Sequence, residues 1–198
     1  MGKFSYYDGY VEEQAKDLLD NYMGDIEEEL KEDSIEFYSF FDDKVHEWVD
    51  NDFIYVDLRD SADIIEGSSY DETDSGLWEG QDPIEAVKTK AFFTYRYDLM
   101  EAVEEVFNDS LEELETDLEN EISDIEIDLD KLKEKLEGYE EAKEELESLP
   151  EAEWDERTQE DIELLENDIQ DTEKEIDDLE EFLTERSEML ENVVDSQS

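Results

Sequence analysis

Apolar residues recur at spacings of three and four along most of the chain, the period of helices that each bury one stripe. Val11, Ala15, Leu18, Tyr22, Ile26 and Leu30 form such a stripe over residues 9–31, with Gly24 tolerated inside it at about 1 kcal/mol. In SIEFYSFFDDKVHEWVDN the stripe is Ile35, Tyr38, Phe41, Val45, Trp48 and Val49, and Asp33 and Glu36 stand at capping-box spacing ahead of it. Residues 52–81 are the least periodic, with a short strand or helix expected at FIYVDL and another at ADIIE. A sharp start follows. Asp82 as N-cap, Pro83 at the first helical position and Glu85 in the first turn open a helix expected to reach Asn108. Its stripe includes Ile84, Val87, Ala91, Tyr95, Ala102 and Val106, and Ser110 with Glu113 then offers a second capping box, where the helix either breaks or hands over to another.

From Leu111 the stripe becomes heptad-like: Leu111, Leu114, Leu118, Ile122, Ile125, Leu129, Leu132, Leu136, Tyr139 and Leu146. LPEAEWDERTQE interrupts it, and Ile162, Leu165, Ile169, Thr172, Ile176, Leu179, Leu183 and Leu190 resume. Two heptad runs about one break predict an antiparallel hairpin. Reversal around Trp154 would pair Leu146 with Ile162, Leu132 with Ile176 and Leu118 with Leu190; a turn near Pro150, slipped by one heptad, matches almost as well. Thr172 and Arg186 fall on the stripe and read as register markers. The expected fold class is therefore mainly α: an acidic helical domain over residues 1–110, then a long antiparallel coiled-coil hairpin over 111–198 with a short disordered tail.

Charge changes the picture. The 198 residues include 69 Asp and Glu against 15 Lys and Arg, a formal net charge of -54, where a magnitude of about 2 to 8 keeps a small domain soluble. Such self-repulsion opposes compaction, so the excess needs a use. A disordered acidic tail is excluded by the 10 Tyr, 9 Phe and 3 Trp. Adaptation to high salt explains less, because the acids track helical faces. Residues 111–149 carry 17 acids and 4 bases and residues 151–194 carry 19 and 3, leaving the hairpin at about -29. Each arm is about 57 Å long, a length over which duplex DNA carries about -34. A rod with phosphate-like charge spacing is attracted to protein surfaces built for nucleic acid. Glu121, Asp124 and Asp128 lie on this charged surface of the hairpin.

Other chemistry is sparse. His46 is the only histidine, and no nucleophile and base pair can be assembled around it. Zero Cys removes disulfides and thiolate metal sites. DETDSGLWEGQD, residues 71–82, has the outline of a calcium loop, but Thr73 and Ser75 are poor ligands and Asp82 stands where Glu is expected. No cofactor and no specific metal site are expected. Neither a basic patch nor a glycine-rich phosphate loop is present, which argues against direct nucleic-acid or nucleotide binding. No apolar run is long enough for a membrane span, and the N-terminus misses the myristoylation pattern at Tyr6. A cytoplasmic location is expected, in the host cytoplasm for a phage-encoded chain. The aromatic groups FYSFFDDKVHEW and FFTYRY read as core packing with a few partly exposed tyrosines.

FFDDKVHEWVDNDFIYVDLRDSADIIEG, DSGL at 74–77, and PIEAVKTKAFFTYRYDLMEAVEEVFNDSLEELE together resemble the phage Ocr family of anti-restriction proteins, over about residues 35–115. The resemblance implies an all-helical DNA mimic, dimeric in that family, that occupies the DNA channel of type I restriction and modification enzymes and can block other host defences. By position, its acidic surface would map onto Asp17, Asp20, Glu27, Glu28, Asp42, Asp43, Glu47, Asp98, Glu101, Glu104 and Glu105. The hairpin departs from the family pattern, which ends soon after the long helix. The expectation is a non-enzymatic decoy for a host DNA-binding defence enzyme. An acidic coiled-coil assembly protein and a chaperone-like shield for basic proteins are the alternatives.

Overall fold

The computed structural model describes residues 7–54, 56–68, 82–150 and 156–197. Among these the chain is mainly α, with no strand: α1 (Tyr7–Leu30), α2 (Phe37–Phe53), α3 (Leu58–Gly67), α4 (Pro83–Glu147) and α5 (Glu156–Ser196). They make two compact units, one of Met1–Leu114 with Asn192–Ser198 and one of Glu115–Glu191. The expected start at Asp82 and Pro83 forms, with Ile84 N donating to Asp82 Oδ1 at 2.9 Å. The Ser110 and Glu113 pattern does not break α4. Leu111 is buried, so the helix must continue, and Ser110 Oγ donates back to the Val106 carbonyl at 2.9 Å instead of capping.

In the first unit, α1, α2 and α4 bury Leu18, Phe41, Val45, Tyr95, Leu99, Val103 and Phe107. Trp48 Nε1 donates to Gln14 Oε1 at 3.1 Å and Tyr10 reaches Asp52, so α2 runs antiparallel to α1. Asp42 meets Arg96 and Tyr38 meets Glu104, so α2 also runs antiparallel to α4. Phe37, Phe41 and Phe107 pack edge and tilt, with Phe41 and Phe107 centroids 5.3 Å apart. Tyr38, Ile84 and Val87, expected on the apolar stripes, are exposed instead at 56%, 50% and 37%.

The aperiodic stretch resolves as helix where it is described. Among the described residues of FIYVDL none is in a strand: Phe53 ends α2, Val56 N donates to Phe53 O at 3.1 Å, and Leu58 begins α3. Asp57 caps α3, accepting from Arg59 N and Asp60 N at 2.7 and 2.9 Å. Those backbone donors hold its carboxyl below the usual carboxylate range. The candidate calcium loop, Asp82 excepted, lies outside the described residues.

The last turn of α5 belongs to the first unit. Asn192 Nδ2 donates to the Leu30 carbonyl at 3.0 Å, satisfying an orphan acceptor at the end of α1. Ser196 Oγ accepts from Ile35 N at 2.7 Å and donates to Asn192 O at 2.6 Å. Residues expected to be a disordered tail are thus helical to Ser196. The Asp33 and Glu36 capping box does not form: Glu36 is the N-cap without a side-chain cap bond, and Asp33 Oδ1 accepts from Ser34 N at 2.8 Å.

In the second unit, Ile125, Leu129 and Ile176 are buried, with Leu132, Leu136, Leu179 and Leu183 packed against them. Lys133 pairs with Glu180 at 2.8 Å, Lys143 with Glu166 at 2.8 Å and Arg186 with Glu121 at 3.1 Å, so α4 and α5 run antiparallel there. Thr172 is buried on the stripe, its Oγ1 donating to Asp168 O at 2.7 Å. Arg186 lies over the Phe182 ring at 4.6 Å.

Candidate functional site

Most of the sequence-selected carboxylates stand on helix surfaces, because the buried stripes are narrow and every other position of each helix is left to water. On α1, Asp17, Asp20, Glu27 and Glu28 are exposed. On α2, Asp42, Asp43 and Glu47 are exposed, Asp42 lying 2.5 Å from Arg96 Nη2. Glu101 and Glu105 are exposed on α4. In the second unit Glu121, Asp124 and Asp128 are exposed, with Glu121 paired to Arg186 and Asp128 to Lys131 at 2.6 Å. Exposed pairs of this kind contribute about 0 to 1 kcal/mol each and leave the surface potential strongly negative.

The charge is shared equally. Residues 115–191 carry 34 acids and 7 bases; the rest of the chain carries 35 and 8, so each unit holds -27. The acidic surface is therefore as much a property of the first unit as of the heptad arms.

Two selected residues are not simple surface charges. Asp98 is half-buried, and its Oδ2 accepts from Tyr7 OH at 2.8 Å; burial is the main cause that raises its pKa above the ordinary value. Tyr7 and Tyr95 bring their rings into this region from α1 and α4, edge to face at 6.3 Å. Because α1 packs beside α4 here, Asp98 ties the two helices together. Glu104 is partly buried and accepts from Tyr38 OH at 3.2 Å.

Sequence reasoning missed the neighbouring network. Asp52, on α2, accepts from Tyr10 OH of α1 at 2.5 Å and from Tyr95 OH of α4 at 3.1 Å. Burial is the main reason that the Tyr7, Tyr10 and Tyr95 phenols are all pushed far above their ordinary pKa, with the adjacent carboxylates adding to it. A signal existed: Tyr95 sits on the apolar stripe, and a buried phenol needs an acceptor.

His46 is exposed, its Nε2 3.5 Å from Asp50 Oδ2 and its ring edge-on to Phe92. The apolar cavity between α1 and α4, lined by Leu19, Met23, Ile26, Phe107, Leu111 and Leu114, is about 50 Å³. Sites for small molecules run to about 300 Å³ and more. Among the described residues, no group of three or more His, Asp or Glu is arranged to hold a metal ion, and no helix is long and apolar enough to cross a membrane.

No protein-family model, curated protein or solved structure matches the chain. What the arrangement can do must be argued from its charge and geometry.

Proposed function

We propose that this protein is a non-enzymatic DNA mimic, an anti-restriction or other anti-defence inhibitor that occupies the DNA-binding surface of a host enzyme. The observation that carries the reading is a net charge of -27 in each of two units, with the carboxylates of the described helices standing mostly on their surfaces. An unfolded polyanion would lose conformational entropy on binding, and these helices have already lost it. The resemblance to the phage Ocr family supports the same reading. In finer terms, the chain is an acidic helical N-terminal domain and an antiparallel coiled-coil hairpin that extends the charged surface. The partner is a DNA-binding protein of the host, met in the host cytoplasm. Asp17, Asp20, Glu27, Glu28, Asp42, Asp43, Glu47, Glu101, Glu105, Glu121, Asp124 and Asp128 supply the phosphate-like charge, and Asp98 supports it from beneath.

The test is affinity capture from bacterial lysate with and without competing duplex DNA, followed by displacement of labelled duplex from the captured enzyme. Partners released by duplex DNA support the decoy. Partners indifferent to DNA overturn it in favour of an assembly protein.

A further inference from the structure

The face between α2 and α4 departs from an all-carboxylate surface. Tyr38 is 56% exposed and Tyr97 48% exposed, whereas Phe41, Tyr95 and Phe107 of the same two helices are buried. Tyr97, Glu101 and Glu104 follow one another at helical spacings of four and three on α4, and Tyr38 OH donates to Glu104 Oε2 at 3.2 Å across from α2. Glu101 and Tyr97 stand one and two turns before Glu104 on the same face of α4, beside the contact of Tyr38 with Glu104. The Tyr38 ring packs edge-on against Phe37 at 5.2 Å and is still 56% exposed, so beside Glu104 it presents both halves of a cation site: a ring quadrupole and a counter-charge.

The protein's own cations show that this chemistry suits them. Lys44 Nζ lies 3.7 Å from the Phe40 ring centroid and 5.2 Å from that of Tyr22. Lys135 lies 5.4 Å over Tyr139, and the Arg186 guanidinium lies 4.6 Å over Phe182 while pairing with Glu121. The last combines ring stacking and carboxylate pairing in one arginine, the combination that Tyr38, Glu101 and Glu104 offer on the α2 and α4 face.

We propose that Tyr38 and Tyr97, with Glu101 and Glu104, form a docking point for an arginine side chain projecting from a basic partner protein. Charge complementarity selects the occupant: a net charge of -54 disfavours acidic partners and nucleic acid. Geometry selects arginine over lysine, because a planar guanidinium can stack on a ring and pair with a carboxylate in the same pose. This rests on the decoy reading for the identity of the partner and deepens it. A phosphate mimic made of carboxylates alone binds through interactions that salt weakens, whereas stacking at this point contributes a salt-resistant part.

The test uses the full chain with ring-labelled tyrosines, titrated by N-acetyl-arginine amide or N-acetyl-lysine amide and followed by NMR at low and high salt. Tyr38 and Tyr97 signals should move most, more for the arginine compound, and that excess should persist at high salt. Tyr38→Leu should weaken the arginine response at Tyr97 by about two- to fivefold, while Tyr38→Phe, which keeps the ring, should retain most of it. Because Tyr38 is exposed, unchanged helical circular dichroism certifies the variants. Shifts spread evenly over the tyrosines, equal responses to the two compounds, or an unaltered arginine response in Tyr38→Leu would each overturn the docking point. No enzyme takes part in this titration, so its failure is distinguishable from failure of the decoy, which is read by duplex displacement.

Discussion

Asp52 offers the most exacting test of how the first unit is held together. Its Oδ2 accepts from Tyr10 OH and Tyr95 OH, joining α1, α2 and α4 at one atom. Hydrogen bonds to a charged acceptor are worth about 1.5 to 3 kcal/mol each, and a buried hydroxyl left without an acceptor costs about 1 to 3 kcal/mol. Tyr95 is fully buried, but Tyr10 is only partly so, and their rings lie 6.1 Å apart. The two phenols already interact with each other, and that contact remains after Asp52→Ala, which limits the loss. The expected net destabilisation is about 2 to 3 kcal/mol, with about 1 kcal/mol for Asp52→Asn, which keeps one acceptor oxygen. For a chain of this size that corresponds to roughly 4 to 12 °C in midpoint for the alanine variant. The assay is urea and thermal unfolding followed by circular dichroism and by tryptophan fluorescence, with Trp78 and Trp154 replaced by Phe so that Trp48 alone is read, and coincidence of the two probes checked because the chain has two units. A double-mutant cycle with Tyr95→Phe isolates the shared bond, and the expected coupling is about 1 kcal/mol. A coupling within about 0.3 to 0.5 kcal/mol of zero would mean that the sites act independently and that the network contributes no stability of its own.

Other outcomes are equally specific. Tyr7, Tyr10 and Tyr95 have folded pKa values above their unfolded 10.0, so the stability they contribute is complete below about pH 10 and is lost as pH rises further; ultraviolet titration should show these phenols ionising only as helical signal is lost. Asp98 is likewise raised above 3.8, so its contribution is complete below that value and lost as pH rises through the folded one, and Asp98→Asn should remove this part of the pH dependence measured by urea melts. A Cβ at Gly67 would stand 2.8 Å from Tyr7 Cβ, so Gly67→Ala should destabilise by about 1 to 3 kcal/mol, whereas Gly24 and Gly138 face open space and their alanine variants should stabilise by about 0.5 to 1 kcal/mol in the same melts. In duplex-displacement assays, joint neutralisation of Asp42, Asp43, Glu47, Glu101 and Glu105 to Asn or Gln should weaken inhibition at least about tenfold, while each single change is nearly silent.

The helices were legible wherever burial follows a regular stripe: Val11, Ala15, Leu18, Ile26 and Leu30 are all buried on α1 as their spacing predicts. Asp82 and Pro83 also announced their helix start, since capping is a local matter. Two of the differences come from a partner distant in sequence. The N–H of Ile35 is taken by Ser196, 161 positions away, so the start of α2 could not be read from Asp33 and Glu36. Asp98 looked like another surface acid, but Tyr7, 91 residues earlier, lies against it. Within the acidic surface the individual carboxylates were easy to select because so many non-stripe positions carry charge, but no sequence signal marked Asp98 as half-buried against Tyr7.

The return of Asn192 and Ser196 to the first unit imposes an order on folding. The Leu30 carbonyl and the Ile35 amide receive their partners from residues made more than 160 positions later. During synthesis, α1, α2 and α3 emerge with that corner incomplete, exposed to water until residues 115–191 have also been made. Closing so long a loop as flexible chain costs about 4 kcal/mol in entropy. Zipping of α4 against α5 before that corner closes would shorten the effective loop and bring Asn192 toward Leu30. The heptad arms thus serve as a tether as well as a charged surface. Removing one heptad from both arms should leave that delivery intact, while removing it from one arm should offset the last turn of α5 and leave the Leu30 and Ile35 backbone groups to solvent.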